Sequence, residues 1–300
     1  MQPKFFLFAW FLAPACLWGA EIPATQSLRL GLALYGFGAQ SEHNQSRIAG
    51  TEIEAALTQP LAPNVEVRVA GSVQLETGAS RARFQNDFQA RQIQRLREAQ
   101  VTWNPIAPLR LVGGAIDQAR WESPLLLQRQ SFPAILQSFD QKWGAFSLSI
   151  QAQQAVPADT SSLQPWGNWP QGMPGFYMER VALGYSPSEQ WGVTLNVSHF
   201  LFENLAGPTA YQAQFLGNTV QGQDAGTTYI YGFSGFEWSA GAQGRVGNLH
   251  PKLHASLIQN AAAPRDKSVG WRFSGAVGWD ASATLRLTPQ FEWFRVDSDT

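Results

Sequence analysis

The chain has 300 residues, of which only 14% are Asp, Glu, Lys or Arg, while 12 Trp and 19 Phe raise its aromatic content. Soluble globular proteins carry roughly 25% of these charged residues, so something other than charge must face the surroundings of this protein. The formal net charge of -1 excludes the basic field through which proteins bind the phosphates of nucleic acids.

The first 20 residues predict a secretory signal peptide. Lys4 precedes an apolar stretch at residues 5–13, and small residues follow up to Ala20, which is the order of segments in such a peptide. The apolar stretch is too short for a membrane-spanning helix. We therefore assign residues 1–20 to a signal peptide.

Cys16 is the only cysteine of the chain. Cleavage after Ala20 leaves a chain without thiols, and therefore without disulfides or cysteine-based metal sites. Residues 13–16 leave a weaker alternative open, in which Cys16 is lipidated.

Beyond the signal peptide, apolar residues recur at every second position. In residues 27–38, leucines alternate with polar or small residues, and this predicts a strand with one apolar face. The same period recurs along the chain, and about 13 strands can be counted. The weakest of them is residues 132–139, because Pro133 cannot donate a hydrogen bond to a sheet. Further clear examples are residues 65–75, 193–198, 272–279 and 285–293.

Two classes of connection alternate between these strands. Short polar connections are predicted at residues 59–64, 104–108, 140–142, 186–190, 247–251 and 280–282, and long ones at residues 39–50, 76–90, 119–131, 154–174, 203–228 and 260–270. Outer-membrane barrels have short periplasmic turns and long extracellular loops, whereas a soluble β-sandwich has no reason to sort its loops. The sequence therefore predicts an all-β fold, an antiparallel transmembrane β-barrel that forms one domain over residues 21–300.

Aromatic residues cluster beside the short turns. Indole and phenol rings prefer the boundary between lipid and water, and barrels carry girdles of them there. We therefore expect five residues to mark a membrane interface: Trp103, Trp143, Tyr185, Trp191 and Trp279.

The number of strands raises a question about closure. Bacterial barrels have an even number of strands, since an open edge in lipid leaves backbone groups without hydrogen bonds. With 13 strands the last one runs outward, and the usual terminal aromatic residue is missing. We expect at least one further strand, 14 to 16 in a complete barrel, and a chain that is incomplete at its C-terminus.

Several motifs resemble bacterial outer-membrane porins of Gram-negative bacteria. They are residues 98–105 (EAQVTWNP), 109–118 (LRLVGGAIDQ), 123–126 (SPLL) and 232–243 (GFSGFEWSAGAQ). The resemblance covers most of the chain as architecture, and it implies a general diffusion channel in the outer membrane, without catalytic residues and without a named substrate.

Charged residues out of phase with the apolar face are candidates for the lining of a pore. They are Arg29, Glu66, Arg68, Glu98, Arg110, Arg180, Arg272, Arg286 and Glu292. One interpretation is a narrow barrel in which these groups form buried salt bridges. The other is a wider barrel in which water hydrates them and their mixed charges select polar solutes.

The predicted function is passive diffusion of small hydrophilic solutes, with no cofactor. The rival interpretation is a plugged structural or adhesive barrel whose long loops contact partners. Outer-membrane lipid surrounds the barrel in both cases, and a homotrimer, common among porins, is one arrangement that the sequence allows.

Two loops carry residues that are unusual for solvated segments. Residues 119–131 contain Trp121 and an apolar run at 125–127, which predicts a segment folded into the lumen or packed against a partner subunit. Residues 164–175 contain two tryptophans and three prolines, which suits a lid on the barrel mouth or, less well, a surface for stacking on sugar rings.

The four histidines give no catalytic or metal site. His43 falls in a predicted long loop and His250 in a short turn, and Pro251 argues against a helix that would bring His250 and His254 together. His199 follows Ser198, but neighbouring strand residues point to opposite faces. We therefore predict no enzyme, and a lipid- or peptide-hydrolysing barrel is only a third hypothesis.

Overall fold

A computed structural model describes residues 6–12, 27–40, 45–80, 89–122, 131–157, 173–205, 219–222, 227–282, 286–297 and 299. The described residues are mainly strands, with one short 3-10 turn at Gln118–Trp121. None of their helices is long and apolar enough to cross a membrane. The strands are β1 (Phe6–Leu12), β2 (Ser27–Gln40), β3 (Gln45–Ala62), β4 (Val65–Ser80), β5 (Gln89–Ile106), β6 (Leu109–Asp117), β7 (Ser131–Trp143), β8 (Phe146–Ala155), β9 (Gly175–Ser188), β10 (Trp191–Glu203), β11 (Val220–Gln221), β12 (Thr228–Tyr229), β13 (Phe233–Gly244), β14 (Leu249–Asn260), β15 (Val269–Asp280), β16 (Arg286–Leu287) and β17 (Pro289–Val296).

The strands form one large antiparallel sheet. Each strand from β2 to β10 pairs with the next, after which β10 pairs with β13, β13 with β14, β14 with β15, and β15 with β17. The two-residue strands β11 and β12 pair only with each other, and β16 pairs with β15. Apart from β1 and these short pieces, the sheet contains the 13 strands that the alternation predicts.

This 13-stranded sheet is not closed by itself. The strand β1 lies in the gap between β2 and β17, running antiparallel to both. All seven of its residues pair with β2, whereas on the other side Phe11 and Leu12 pair with Gln290 and Pro289. The segment in the gap therefore belongs to the residues that the sequence predicts to be a signal peptide.

Alternate residues of the sheet lie in different environments. On the outward face large apolar side chains are exposed, as with Leu195 at 61%, while inward-facing neighbours are shielded, as with Leu136 at 0%. Water would not stabilise such a continuous apolar exterior, but the hydrocarbon of a bilayer does. We call the two ends of the barrel the short-turn end and the long-loop end, after the connections found there.

Some predicted boundaries are wrong. The strand predicted around Pro133 is present as part of β7, but it continues through the polar residues 140–142, which pair with residues 147–149 of β8. The turn falls instead at residues 144–145, where Gly144 adopts a φ of 58°, a conformation that favours glycine. The first long loop is also shorter than predicted, since β2 extends to Gln40 and β3 begins at Gln45. Polar residues can continue the backbone hydrogen bonds of a sheet wherever their side chains contact water or other polar groups.

Candidate functional site in the barrel interior

Four predicted lining residues form two ion pairs across adjacent strands. Arg68 of β4 pairs with Glu98 of β5. Arg272 Nε of β15 lies 2.6 Å from Glu292 Oε1 of β17, and both side chains are largely shielded from solvent. The inner wall therefore carries charges of both signs, as the period-two pattern predicts.

Arg110 is less tightly held than these residues. Its guanidinium group lies 3.9 Å from the carboxylate of Asp140, and its Nε donates a hydrogen bond of 3.2 Å to Ser138 Oγ. Both partners belong to β7, the neighbouring strand. Because the Arg110 and Asp140 side chains are partly exposed, the interior is accessible to solvent near the short-turn end.

The remaining predicted lining residues lie in different surroundings. Arg180 donates a hydrogen bond of 3.2 Å from Nη1 to the carbonyl oxygen of Trp121. Arg29 and Glu66 share the inner face at the short-turn ends of β2 and β4, and neither forms an ion pair with a described residue. The backbone of Arg286 belongs to β16, while its side chain is outside the described part of the chain.

The most buried charged cluster was not predicted. Arg97 of β5 is an extra residue in its strand, because Ala70 of β4 pairs with Glu98 and Gly71 pairs with Leu96. Such a β-bulge breaks the alternation from which faces are assigned. The only signal in the sequence is the placement of three charged residues within residues 95–98.

Arg97 connects two carboxylates from distant parts of the sheet. Its Nη1 lies 3.3 Å from Glu52 Oε1 of β3, and its Nε donates to Asp117 Oδ2 of β6 at 3.1 Å. The Arg97 side chain is only 7% exposed. Ser131, at the start of β7, donates its hydroxyl to the carbonyl oxygen of Arg97. This residue therefore links β3, β5, β6 and β7.

The 3-10 turn after β6 folds into the interior. Asp117 begins it by accepting a hydrogen bond of 2.9 Å from the backbone N–H of Ala119. Gln153 of β8 donates to Gln118 Oε1 at 2.7 Å and accepts from the indole Nε1 of Trp121 at 3.3 Å. With Trp121 only 2% exposed, the turn is anchored to the barrel wall, as predicted for the start of residues 119–131. The rest of that segment, residues 123–130, is outside the described residues, as are residues 164–172 of the second unusual loop.

Part of the interior is apolar. Next to the turn, inward-facing side chains from β6 to β10 and from β14 pack into one cluster with Trp121. The sequence did not predict it, because residues 132–136 and 199–202 are largely apolar at consecutive positions, so alternation assigns no inner face there. The cluster consists of Val112, Ile116, Trp121, Phe132, Ala134, Leu136, Ala155, Phe176, Met178, Phe200 and Ile258, with Phe202 and Phe233 packed against it.

The five predicted interface aromatics all lie near the short-turn end. Each is exposed and occupies the outward face. Tyr185 also contacts Phe146 of β8, with ring centroids 4.9 Å apart. Their role at a membrane interface stays a prediction, and the five residues are Trp103, Trp143, Tyr185, Trp191 and Trp279.

The histidines have partners that the sequence did not reveal. His250 lies in β14, not in a turn, and its Nε2 is 2.7 Å from Asp280 Oδ2. His254 Nδ1 is 3.3 Å from Arg272 Nη1. His43 is outside the described residues. In the described part of the chain, no three His, Cys, Asp or Glu side chains are grouped closely enough to hold a metal ion.

No known protein family matches the sequence, and neither does any curated protein. Among solved structures, the fold is similar to a FadL homologue of Pseudomonas aeruginosa, with 11% identity, a TM-score of 0.42, and coverage of 98% of this chain and 89% of that one. It is also similar to Salmonella typhi OmpF in complex with daunomycin, with 8% identity, a TM-score of 0.42, and coverage of 98% and 97%. Pseudomonas aeruginosa OpdO gives 8% identity, a TM-score of 0.40, and coverage of 98% and 96%.

The class of the protein follows from its own architecture. A 13-stranded antiparallel sheet with an apolar exterior and a charged interior is a β-barrel of the outer-membrane type. The chain is therefore a porin-like outer-membrane barrel in its fold.

Proposed function

We propose that the protein is a porin-type channel of the bacterial outer membrane, through which small hydrophilic solutes diffuse passively. The observation that carries this proposal is the distribution of charges of both signs around the inner wall, as in the pairs Arg68–Glu98 and Arg272–Glu292. Paired charges of opposite sign stabilise polar solutes and water in a pore without fixing one ionic preference. We also propose that residues 1–20 are the signal peptide and that the five aromatics lie at the membrane interface.

The partly exposed pair of Arg110 and Asp140 supports hydration at the short-turn end. Solutes leaving the constriction would meet these groups, and the neighbouring Lys142 and Ser149 line a further depression of about 280 Å³. A lumen filled only by its own side chains has no need of exposed charges. This end therefore behaves as a polar vestibule.

A plugged barrel is the second candidate, and one observation favours it. The apolar cluster around Leu136 and Phe176 is shielded from solvent, and Trp121, which packs in it, donates a hydrogen bond from its indole nitrogen to Gln153. In this alternative the cluster fills the outer half of the barrel, and the long loops serve for contacts with partners.

Measurement of ionic conductance distinguishes the channel from the plugged barrel. The purified full chain, reconstituted in planar lipid bilayers, is expected to give stepwise current increases under an applied voltage. Silent bilayers, together with correctly folded protein in the same preparation, would exclude the channel and support the plugged barrel.

The constriction can be tested separately. Deletion of residues 120–130 is expected to raise the single-channel conductance, because it removes Trp121 and the turn that narrows the lumen. Trp121→Ala should give a smaller increase in the same direction. Trp143→Ala, which removes an exposed outward indole, serves as the matched control and should leave conductance unchanged. Equal conductance for the deletion and the parent would contradict the assignment of the turn as a constriction.

A further inference from the structure

The outward face of β7 to β10 carries a polar patch within the apolar belt. Glu179 shares the outward face of β9 with the exposed Val181 and Leu183, and it pairs across the sheet with His199 of β10. The His199 Nδ1 atom lies 3.4 Å from Glu179 Oε2, and the Glu179 side chain is 70% exposed. A carboxylate and an imidazole therefore face the surroundings of the barrel together.

Two amides extend this patch. Gln137 of β7 and Gln154 of β8 lie on the same outward face and are both exposed. They flank Ala152, which pairs with Gln137 on one side and with Glu179 on the other. Neither amide has a hydrogen-bond partner among the described residues. The patch thus combines donors and acceptors that its own barrel leaves largely unsatisfied.

The depth of the patch in the membrane determines which groups can form hydrogen bonds with it. Glu179 is six residues along β9 from Tyr185, which corresponds to about 15 Å along the membrane normal for a strand tilted by roughly 40°. The apolar band of such barrels is about 25 Å tall. With Tyr185 at one boundary, Glu179 lies inside the hydrocarbon, where lipid tails offer no hydrogen bonds.

The strands β13, β14 and β15 lack such a charged pair on their outward face. The outward positions of β13, β14 and β15 carry no charged residue. The charged pair of Glu179 and His199 therefore has no counterpart on these three strands, although outward amides also occur on β5, at Gln92 and Gln94.

We propose that the polar patch, Gln137, Gln154, Glu179 and His199, is the contact between two copies of this chain in the membrane. A two-fold axis along the membrane normal that passes between β8 and β9, beside Ala152, sets β7 of one copy against β10 of the other. The amides of Gln137 and Gln154 on each copy then face Glu179 and His199 of its mate, so the patch is complementary to itself. Small Ala152 at the centre permits close approach of the two walls.

Single cysteines test this contact in a chain that otherwise has only Cys16. In a Cys16→Ser background, Ala152→Cys is expected to give at least tenfold more covalent dimer than Ala55→Cys after oxidation in phosphatidylcholine vesicles. Both alanines are exposed on the outward face, and Ala55 lies on β3, away from the patch. Equal yields at both positions would mean random collisions and would overturn the proposal.

A second experiment addresses the polar groups themselves. Glu179→Leu combined with His199→Leu should reduce cross-linking through position 152 about tenfold, whereas Thr51→Leu, an outward polar position on β3, should not change it. A monomeric wild-type protein in analytical ultracentrifugation would overturn the contact. The inference rests on the membrane-spanning barrel of the proposed function. These assays measure association of two copies and not ionic current, so a negative result would overturn the contact and leave the channel proposal unchanged.

Discussion

Replacement of Arg97 by Met is expected to destabilise the barrel by about 3 to 5 kcal/mol, the usual cost of removing one partner of a buried ion pair. Met retains much of the side-chain volume but leaves the carboxylates of Glu52 and Asp117 without their shared cation. Denaturant unfolding of the protein in detergent micelles, followed by tryptophan fluorescence, measures this loss. Because Asp117 also begins the turn that carries Trp121, single-channel conductance should rise in the folded fraction.

Arg68→Met provides the matched control for this result. The same change is made at a guanidinium group that pairs with one carboxylate and is 31% exposed, so water can replace the lost partner. We expect a loss of about 1 kcal/mol or less, as for exposed ion pairs. If both variants lose the same stability, the three-membered cluster of Arg97 has no special role in anchoring the constriction.

Removal of residues 1–20, the proposed signal peptide, is expected to leave the refolding yield unchanged, because such peptides are absent from the mature protein. The shortened chain loses β1, and β2 and β17 must then pair with each other, since open edges would expose backbone N–H and C=O groups to hydrocarbon at several kcal/mol for each unsatisfied group. A yield at least tenfold lower would mean instead that β1 is part of the folded barrel. Refolding of residues 21–300 and of the full chain into the same detergent, measured by the heat-dependent shift in electrophoretic mobility, gives the comparison.

A pair of cysteines tests whether β2 and β17 are adjacent in the full chain and in residues 21–300. Tyr35 and Gln290 both pair with Phe11 of β1, so in the full chain they are separated by two strand spacings, roughly 9.5 Å. A disulfide requires Cα atoms within about 7 Å. The Tyr35→Cys, Gln290→Cys variant should therefore form no disulfide in the full chain and an efficient disulfide in residues 21–300, and failure to form it in residues 21–300 would contradict direct pairing of β2 with β17.

The type of barrel could be predicted from the sequence because the alternation of apolar and polar residues can be seen within a single strand. The leucines of residues 28–34 fix the faces of β2 without reference to any other strand, since side chains alternate along every strand. The same reasoning assigned Arg68, Glu98, Arg272 and Glu292 to the lining of a pore, which stays a prediction. It failed at Arg97, where a bulge interrupts the period, and at residues 140–142, where polar composition predicted a turn in the middle of a ladder.

The interior could not be derived in the same way. Which side chains meet inside a barrel depends on strand register and on the barrel's width, and both are properties of the whole sheet. The contact of Arg97 with Glu52 joins residues 45 positions apart. The link between Trp121 and Gln153 likewise exists only because the turn after β6 folds back across the wall.

By itself, the sequence determined the all-β class, the number of strands and the two faces of those strands in which apolar and polar residues alternate, because successive side chains of a strand point to opposite faces. Tertiary structure decided the rest: the apolar cluster beside the charged wall, the anchoring of Trp121, and the occupation of the gap between β2 and β17 by Phe6–Leu12. Each of these depends on contacts between segments far apart in the chain, and such contacts form only once register and curvature bring the strands into one sheet.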